Sequence, residues 1–166
     1  MISPEILRRY PFFGGLSLEQ ITTLAWHAEE IEAEADTTFF REGDTLTHFY
    51  LVTEGTVEIT VPFTAPNQVH DVANQLTGQV TTAEASLSIV GIGDIFGWSG
   101  LIPPYKATAT ATMLTPGRVV AINTEALREE FTTDWQFGYQ LMEKAAQVIS
   151  QRLRDLRVQS LAQLIP

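Results

Sequence analysis

Apolar and polar positions change their period along the chain. Leu18, Ile21, Leu24 and Ala25 recur at helical spacing, and Ser17 with Gln20 three residues on forms a capping box, so a helix is predicted to start there. From Glu29 to Asp36 the pattern alternates, with Ile31, Ala33 and Ala35 between carboxylates, which predicts a solvated first strand. Between Thr37 and Asn123, short β-branched and aromatic runs are separated by Gly, Pro and Asp turns, the signature of a mainly β sandwich or barrel. The predicted strands are Thr37–Arg41, His48–Thr53, Gly55–Val61, Ser86–Gly91, Ala107–Leu114 and Arg118–Asn123, with Glu54-Gly55 as the turn between two of them. Val57, Ile59 and Val61 alternate with Thr56, Glu58 and Thr60, giving one buried and one wet face. Pro62 to Glu84 is polar and without a period, and is predicted as a long loop or an extended hairpin tip. Two helices follow: one opened by Thr124 over Glu125 to Phe131, and one capped by Thr133 that runs nearly to the end. Leu141, Ala145, Val148, Ile149, Leu153, Leu156, Leu161 and Leu164 fall on one broad side of the second. Trp26 and Trp135 lie in helical stretches and are predicted to be core.

A chain of 166 residues with no visible linker or repeat suits one domain: 1–36 as entry helices and first strand, 37–123 as the β unit, 124–166 as C-terminal helices. With 20 acidic against 10 basic residues the net charge is −10, so the overall field repels phosphate backbones and nucleic acid is not an expected partner. Cysteine is absent, which removes disulfides, thiolate metal sites and cysteine nucleophiles together. No stretch has the pattern of a signal peptide or the length of an apolar membrane span, so no membrane association and a cytoplasmic location are expected. His27, His48 and His70 form no pair at metal-ligand spacing and have no motif-bearing serine beside them, so neither a metal site nor catalysis is expected.

The chemistry concentrates between Gly93 and Ala109. Gly97-Trp98-Ser99-Gly100 is a glycine turn opening a short helical piece, where outward-pointing amides bind anions and the missing side chains let a ligand approach the backbone. Pro103-Pro104 then enforces a corner, and Lys106 enters a run of small residues beginning Ala107-Thr108. Lys106 is the only lysine or arginine between Arg41 and Arg118, in a stretch with seven carboxylates, and is placed to pair with a phosphate. Trp98 fits either a buried cap on the barrel end or a platform on which a ligand ring stacks.

These features resemble the cyclic-nucleotide-binding domain of the catabolite-activator and anaerobic-regulator superfamily. Phe96, Gly97, Leu101, Ile102, Pro104, Ala107 and Ala109 match its phosphate-binding cassette. Arg41-Glu42-Gly43-Asp44, Phe49-Tyr50-Leu51-Val52 and Glu54-Gly55-Thr56-Val57 look like its earlier strand-and-turn motifs, and Pro11-Phe12-Phe13 through Leu24 resembles its entry helices. The resemblance implies a double-stranded β-helix, or jelly roll, with N-terminal helices and a long C-terminal helix. It also implies a ligand-sensing module, with a cyclic nucleotide or another small anionic ligand held by Gly97, Trp98, Ser99, Gly100, Lys106, Ala107 and Thr108. Two departures matter. The family's cassette Glu, acceptor for the ribose 2′-hydroxyl, is Trp98 here, whose indole only donates; its phosphate-binding Arg is Lys106, which lacks the bidentate fork. The resemblance further implies a homodimer through the C-terminal helix. It implies no DNA recognition by this chain, since no helix-turn-helix follows Leu164. The competing readings are a scaffold domain that keeps the fold and docks a protein partner, and a cupin-type metalloenzyme on the same architecture.

Overall fold

A computed structural model describes residues 1–64 and 82–162. After a short helix α1 (Pro4–Arg8) and a 3₁₀ turn (Pro11–Phe13), helix α2 (Leu18–Trp26) opens on the predicted box: Ser17 Oγ accepts from Gln20 N at 3.1 Å, and Gln20 Oε1 accepts from Ser17 N at 2.9 Å. Six antiparallel strands follow: β1 (Ala28–Ala33), β2 (Thr38–Phe40), β3 (His48–Thr64), β4 (Thr82–Val90), β5 (Ile95–Phe96) and β6 (Thr110–Asn123). The order is β1-β6-β3-β4, with β2 added to β6 and β5 to β3. Helices α3 (Thr124–Thr133) and α4 (Trp135–Ala162) close the chain. This is a mainly β jelly roll with N-terminal helices and a long C-terminal helix.

The roll is organised by two long strands where sequence predicts four short ones. His48–Thr53 and Gly55–Val61 are one strand, and Arg118–Asn123 continues the strand that starts at Thr110. Glu54-Gly55 makes an irregularity in the β3–β6 ladder rather than a turn between strands, with register shifts at Val52/Glu54, Glu54/Thr56 and Thr56/Val57. Glycine signals a break in either case, and only the cross-strand partner distinguishes a bulge from a turn. The expected start of β6 at Ala107 also shifts: Ala107 lies before the strand, and Lys106 forms only an isolated bridge with Thr45.

Both faces of the central strands are buried, which explains the unbroken apolar runs Phe49-Tyr50-Leu51-Val52 and Val119-Val120-Ala121-Ile122. Phe49, Leu51, Val120 and Ile122 pack against the helices, with Leu7, Leu24, Leu127, Phe137 and Leu141. Val52, Val57, Phe96, Met113 and Val119 fill the roll.

The caps and two tryptophans depart from expectation. Asn123, not Thr124, caps α3 by accepting from Ala126 N at 3.0 Å, and Asp134, not Thr133, accepts from Phe137 N at 2.9 Å at the start of α4. Thr124 is fully buried with its hydroxyl unpartnered, and Thr133 is still helical and donates backward to Glu130 O, so neither accepts from a first-turn amide. Trp26 and Trp135 are 64% and 76% exposed rather than core. The buried stripe of α4 runs through Phe137, Leu141 and Ala145, which turns Trp135 and Tyr139 to the other side. The ends of the expected loop 62–84 are strand, and its remainder, like Leu164, lies outside the described residues. No described helix is long and apolar enough to cross a membrane.

Candidate functional site

Strand β5 pairs Phe96 with Tyr50 and Ile95 with Leu51, and the two aromatic rings stack with centroids 4.9 Å apart. The chain then turns at Gly97, whose φ of 73° is left-handed, into a 3₁₀ helix over Trp98–Leu101. A Cβ on Gly97 would stand 3.0 Å from the Tyr50 ring, 3.2 Å from Phe40 and 3.3 Å from His48 O, so glycine is required both by conformation and by space. Helix α3 holds the turn from behind. Arg128 donates to Gly100 O at 2.8 Å while its guanidinium lies 4.1 Å from the centre of the Tyr105 ring.

Between this turn, the roll and the second half of α4 lies a cavity of about 500 Å³. Phe40, Ile59, Leu87 and Phe96 form its wall on the roll side, and Ile149, Leu153 and Leu156 its wall on the helix side. Of the residues singled out from sequence, Gly97, Trp98, Ser99 and Thr108 line it, with Trp98 half-buried and Ser99 buried. Three do not reach the wall. Gly100 packs against the Thr124 side chain, and Ala107 is buried in the roll core. Lys106 is exposed, its ammonium 3.4 Å from Gly43 O and 3.5 Å from Thr45 Oγ1.

The cation on the cavity wall is Arg152, which sequence reading passed over. Its Nη2 donates to Ile95 O at 2.6 Å and its Nη1 to Ser88 Oγ at 3.4 Å, so one side chain ties α4 to both β5 and β4. Burial pushes the guanidinium below its ordinary value, partly opposed by Asp94 and Asp155 nearby. A signal was available: Arg152 falls three residues after Ile149 and four before Leu156, the register of the inward stripe, where a long cation is out of place unless it has partners. Among the described residues no cluster of three His, Asp or Glu side chains forms a metal-binding group.

A jelly roll with a glycine turn facing its C-terminal helix defines a class of ligand-binding domains, and the chain belongs to one family of it. The cyclic nucleotide-binding domain family matches residues 30–134, more than half of the chain. A crystal structure of a protein described as cyclic nucleotide-binding, from Geobacter metallireducens, is 33% identical, covers 92% of this chain and 99% of its own, and has a TM-score of 0.74. The N-terminal domain of a transcriptional regulator from Streptomyces coelicolor is 28% identical, with 96% of each chain covered and a TM-score of 0.62. The CRP-like cAMP-activated global transcriptional regulator of Mycobacterium tuberculosis is 28% identical over 150 residues, 90% of this chain; the match spans 58% of that regulator's length.

The residues present do not supply the contacts that the resemblance assigns to a cyclic nucleotide. The indole of Trp98, in place of the ribose acceptor, has no acceptor atom, and Lys106, in place of the phosphate cation, stands outside the cavity wall.

Proposed function

We propose that this protein is a ligand-sensing regulatory module rather than an enzyme. A small anionic molecule occupies the cavity between the roll and α4, in contact with Gly97, Trp98, Ser99 and Thr108, and its occupancy sets the position of the helix. The carrying observation is that one cavity is walled by both parts and that Arg152 bridges them, through Ile95 O and Ser88 Oγ. An anion drawing Arg152 away from either partner changes what holds the helix down. Differential binding of that kind is what a ligand needs in order to shift an equilibrium between helix positions. Native mass spectra of the purified protein, together with calorimetric titration of cyclic AMP and cyclic GMP, test the reading. A retained small molecule or a saturable heat supports it. Neither would leave the scaffold reading.

The module acts as a homodimer through the C-terminal helix. Leu153, Val158 and Leu161 are 58%, 62% and 62% exposed, and Leu153, Leu156 and Leu161 border a shallow groove with Arg157 and Ser160. Exposed apolar residues on a long helix fit an interface. Val158→Glu with Leu161→Glu, both outside the ligand cavity, is expected to convert dimer to monomer in sedimentation equilibrium at tens of micromolar. An unmodified protein that already sediments as a monomer removes the dimer.

A further inference from the structure

We infer that the cavity between the roll and the C-terminal helix takes an amphipathic monoanion: an apolar body between the two walls and one acid group, a carboxylate above all, on Arg152. This names the ligand class of the sensing site proposed above and rests on that reading.

The walls set the first half of the inference. Phe40, Ile59 and Phe96 face the space from the roll, and Ile149 and Leu156 from the helix. Over these five side chains a ligand's hydroxyl or ring-nitrogen groups would find no partner, so its polar atoms are confined to the part of the wall that carries Ser99, Thr108, Arg152, Asp155 and Gln159. A ring or short chain loses no hydrogen bond there and keeps its contact area, and a cavity of about 500 Å³ is within the range that holds such a molecule.

Arg152 sets the second half. Among the described residues lining the cavity it is the only lysine or arginine. Ile95 O and Ser88 Oγ engage its Nη2 and Nη1 once each, and a guanidinium has five N–H donors, so donors remain for a ligand. A carboxylate matches the planar fork in a way that an alcohol or amide does not.

The nearby carboxylates set the charge. Asp155 lines the same cavity, with Oδ1 accepting from Gln151 Nε2 at 2.8 Å, and Asp94 accepts from Gly91 N at 3.0 Å. Asp155 and Asp94 already offset part of the Arg152 charge, so the wall tolerates a single ligand charge, placed on the guanidinium, better than two. The second charge of a phosphomonoester dianion would face Asp155 with no further cation on the wall to meet it.

The test is calorimetric titration of the full chain with phenylbutyrate, phenylbutanol, inorganic phosphate and cyclic AMP, repeated on Arg152→Gln and Arg152→Lys. Phenylbutyrate is expected to bind at least about tenfold more tightly than phenylbutanol, since a charge-assisted hydrogen bond separates them. Arg152→Gln is expected to abolish the preference for acid over alcohol, weakening the acid relative to the alcohol by roughly ten- to hundredfold, with Arg152→Lys recovering part of that preference. If Arg152→Gln does not fold, as judged by its thermal melt, the contrast between acid and alcohol on the unmodified protein decides. Equal affinity for acid and alcohol, or acid binding indifferent to Arg152→Gln in a folded variant, overturns the ligand class. Cyclic AMP binding without phenylbutyrate binding overturns it too, while leaving the sensing function in place. No heat from any of the four overturns the ligand class, and together with native mass spectra that show no retained molecule it removes the sensing reading as well.

Discussion

Gly117→Ala is expected to destabilise the protein by about 3 kcal/mol, the upper end of the cost of inserting one methyl group into a packed site. A Cβ there would stand 2.1 Å from Glu54 O and 2.5 Å from Glu54 C, which are backbone atoms of the facing strand and cannot rotate away. The terminal methyl of Met113, Cε, at 2.7 Å, closes the remaining side. Gly55 completes the contact: its φ is 81°, and its own Cβ would meet Pro116 O and Thr115 O at 2.9 Å. The two glycines let β3 and β6 approach where their ladder shifts register, so a methyl group must part the strands that carry both cores. Gly91→Ala is the control. Nothing lies within 4 Å of its Cβ position, so a change within about 0.5 kcal/mol is expected. Urea unfolding of both variants measures the difference, and a Gly117→Ala stability within about 1 kcal/mol of the unmodified protein would show that the strands part easily.

What could be read from the sequence divides along the same physical line. Periodicity reports which face of an element is buried, and it located α2, β1 and the stripe through Leu141 and Ala145. It is silent on pairing partners. Glu54-Gly55 therefore reads as a turn between two strands, whereas a facing glycine, Gly117, lets both strands run on. Ile95-Phe96 was hidden for a related reason: a strand of two residues has no period, and its identity comes from Tyr50 and Leu51 across the ladder.

The candidate site divides similarly. Gly97 and its neighbours are local features, a left-handed turn entering a 3₁₀ helix, and a local motif is legible in sequence. The cavity is not local, because its second wall comes from α4, more than forty residues further on. Lys106 was the natural choice of cation because it is alone in an acidic stretch. The isolated bridge to Thr45 instead sets its ammonium near Gly43 O and Thr45 Oγ1, and the cation that reaches the wall comes from the helix. Trp98 fits either a cap or a platform from sequence alone, and it is half-buried on the cavity wall.

Trp98→Glu is expected to raise affinity for cyclic AMP by roughly ten- to hundredfold, the worth of one charge-assisted hydrogen bond of about 1.5–3 kcal/mol. The position follows Gly97 on the cavity wall, where the family resemblance places a carboxylate that accepts from the ribose 2′-hydroxyl. Indole has one donor and no acceptor, so the unmodified protein lacks that bond, and removing the bulky ring also opens space for the sugar. The new carboxylate shares its wall with Asp155, which opposes it, and with Arg152, which offsets its burial. Lys106→Ala in the same background separates the two sources of positive charge. With its ammonium held outside the wall near Gly43 O, its loss is expected to change affinity by less than about twofold. Calorimetric titration of cyclic AMP into the unmodified protein, Trp98→Glu and the double variant, each first shown by thermal melt to be folded, reads both effects. A folded Trp98→Glu that binds cyclic AMP no better than the unmodified protein would mean that the missing ribose acceptor is not what limits nucleotide binding here. A gain that disappears with Lys106→Ala would mean that the lysine swings from Gly43 into the cavity when a phosphate enters.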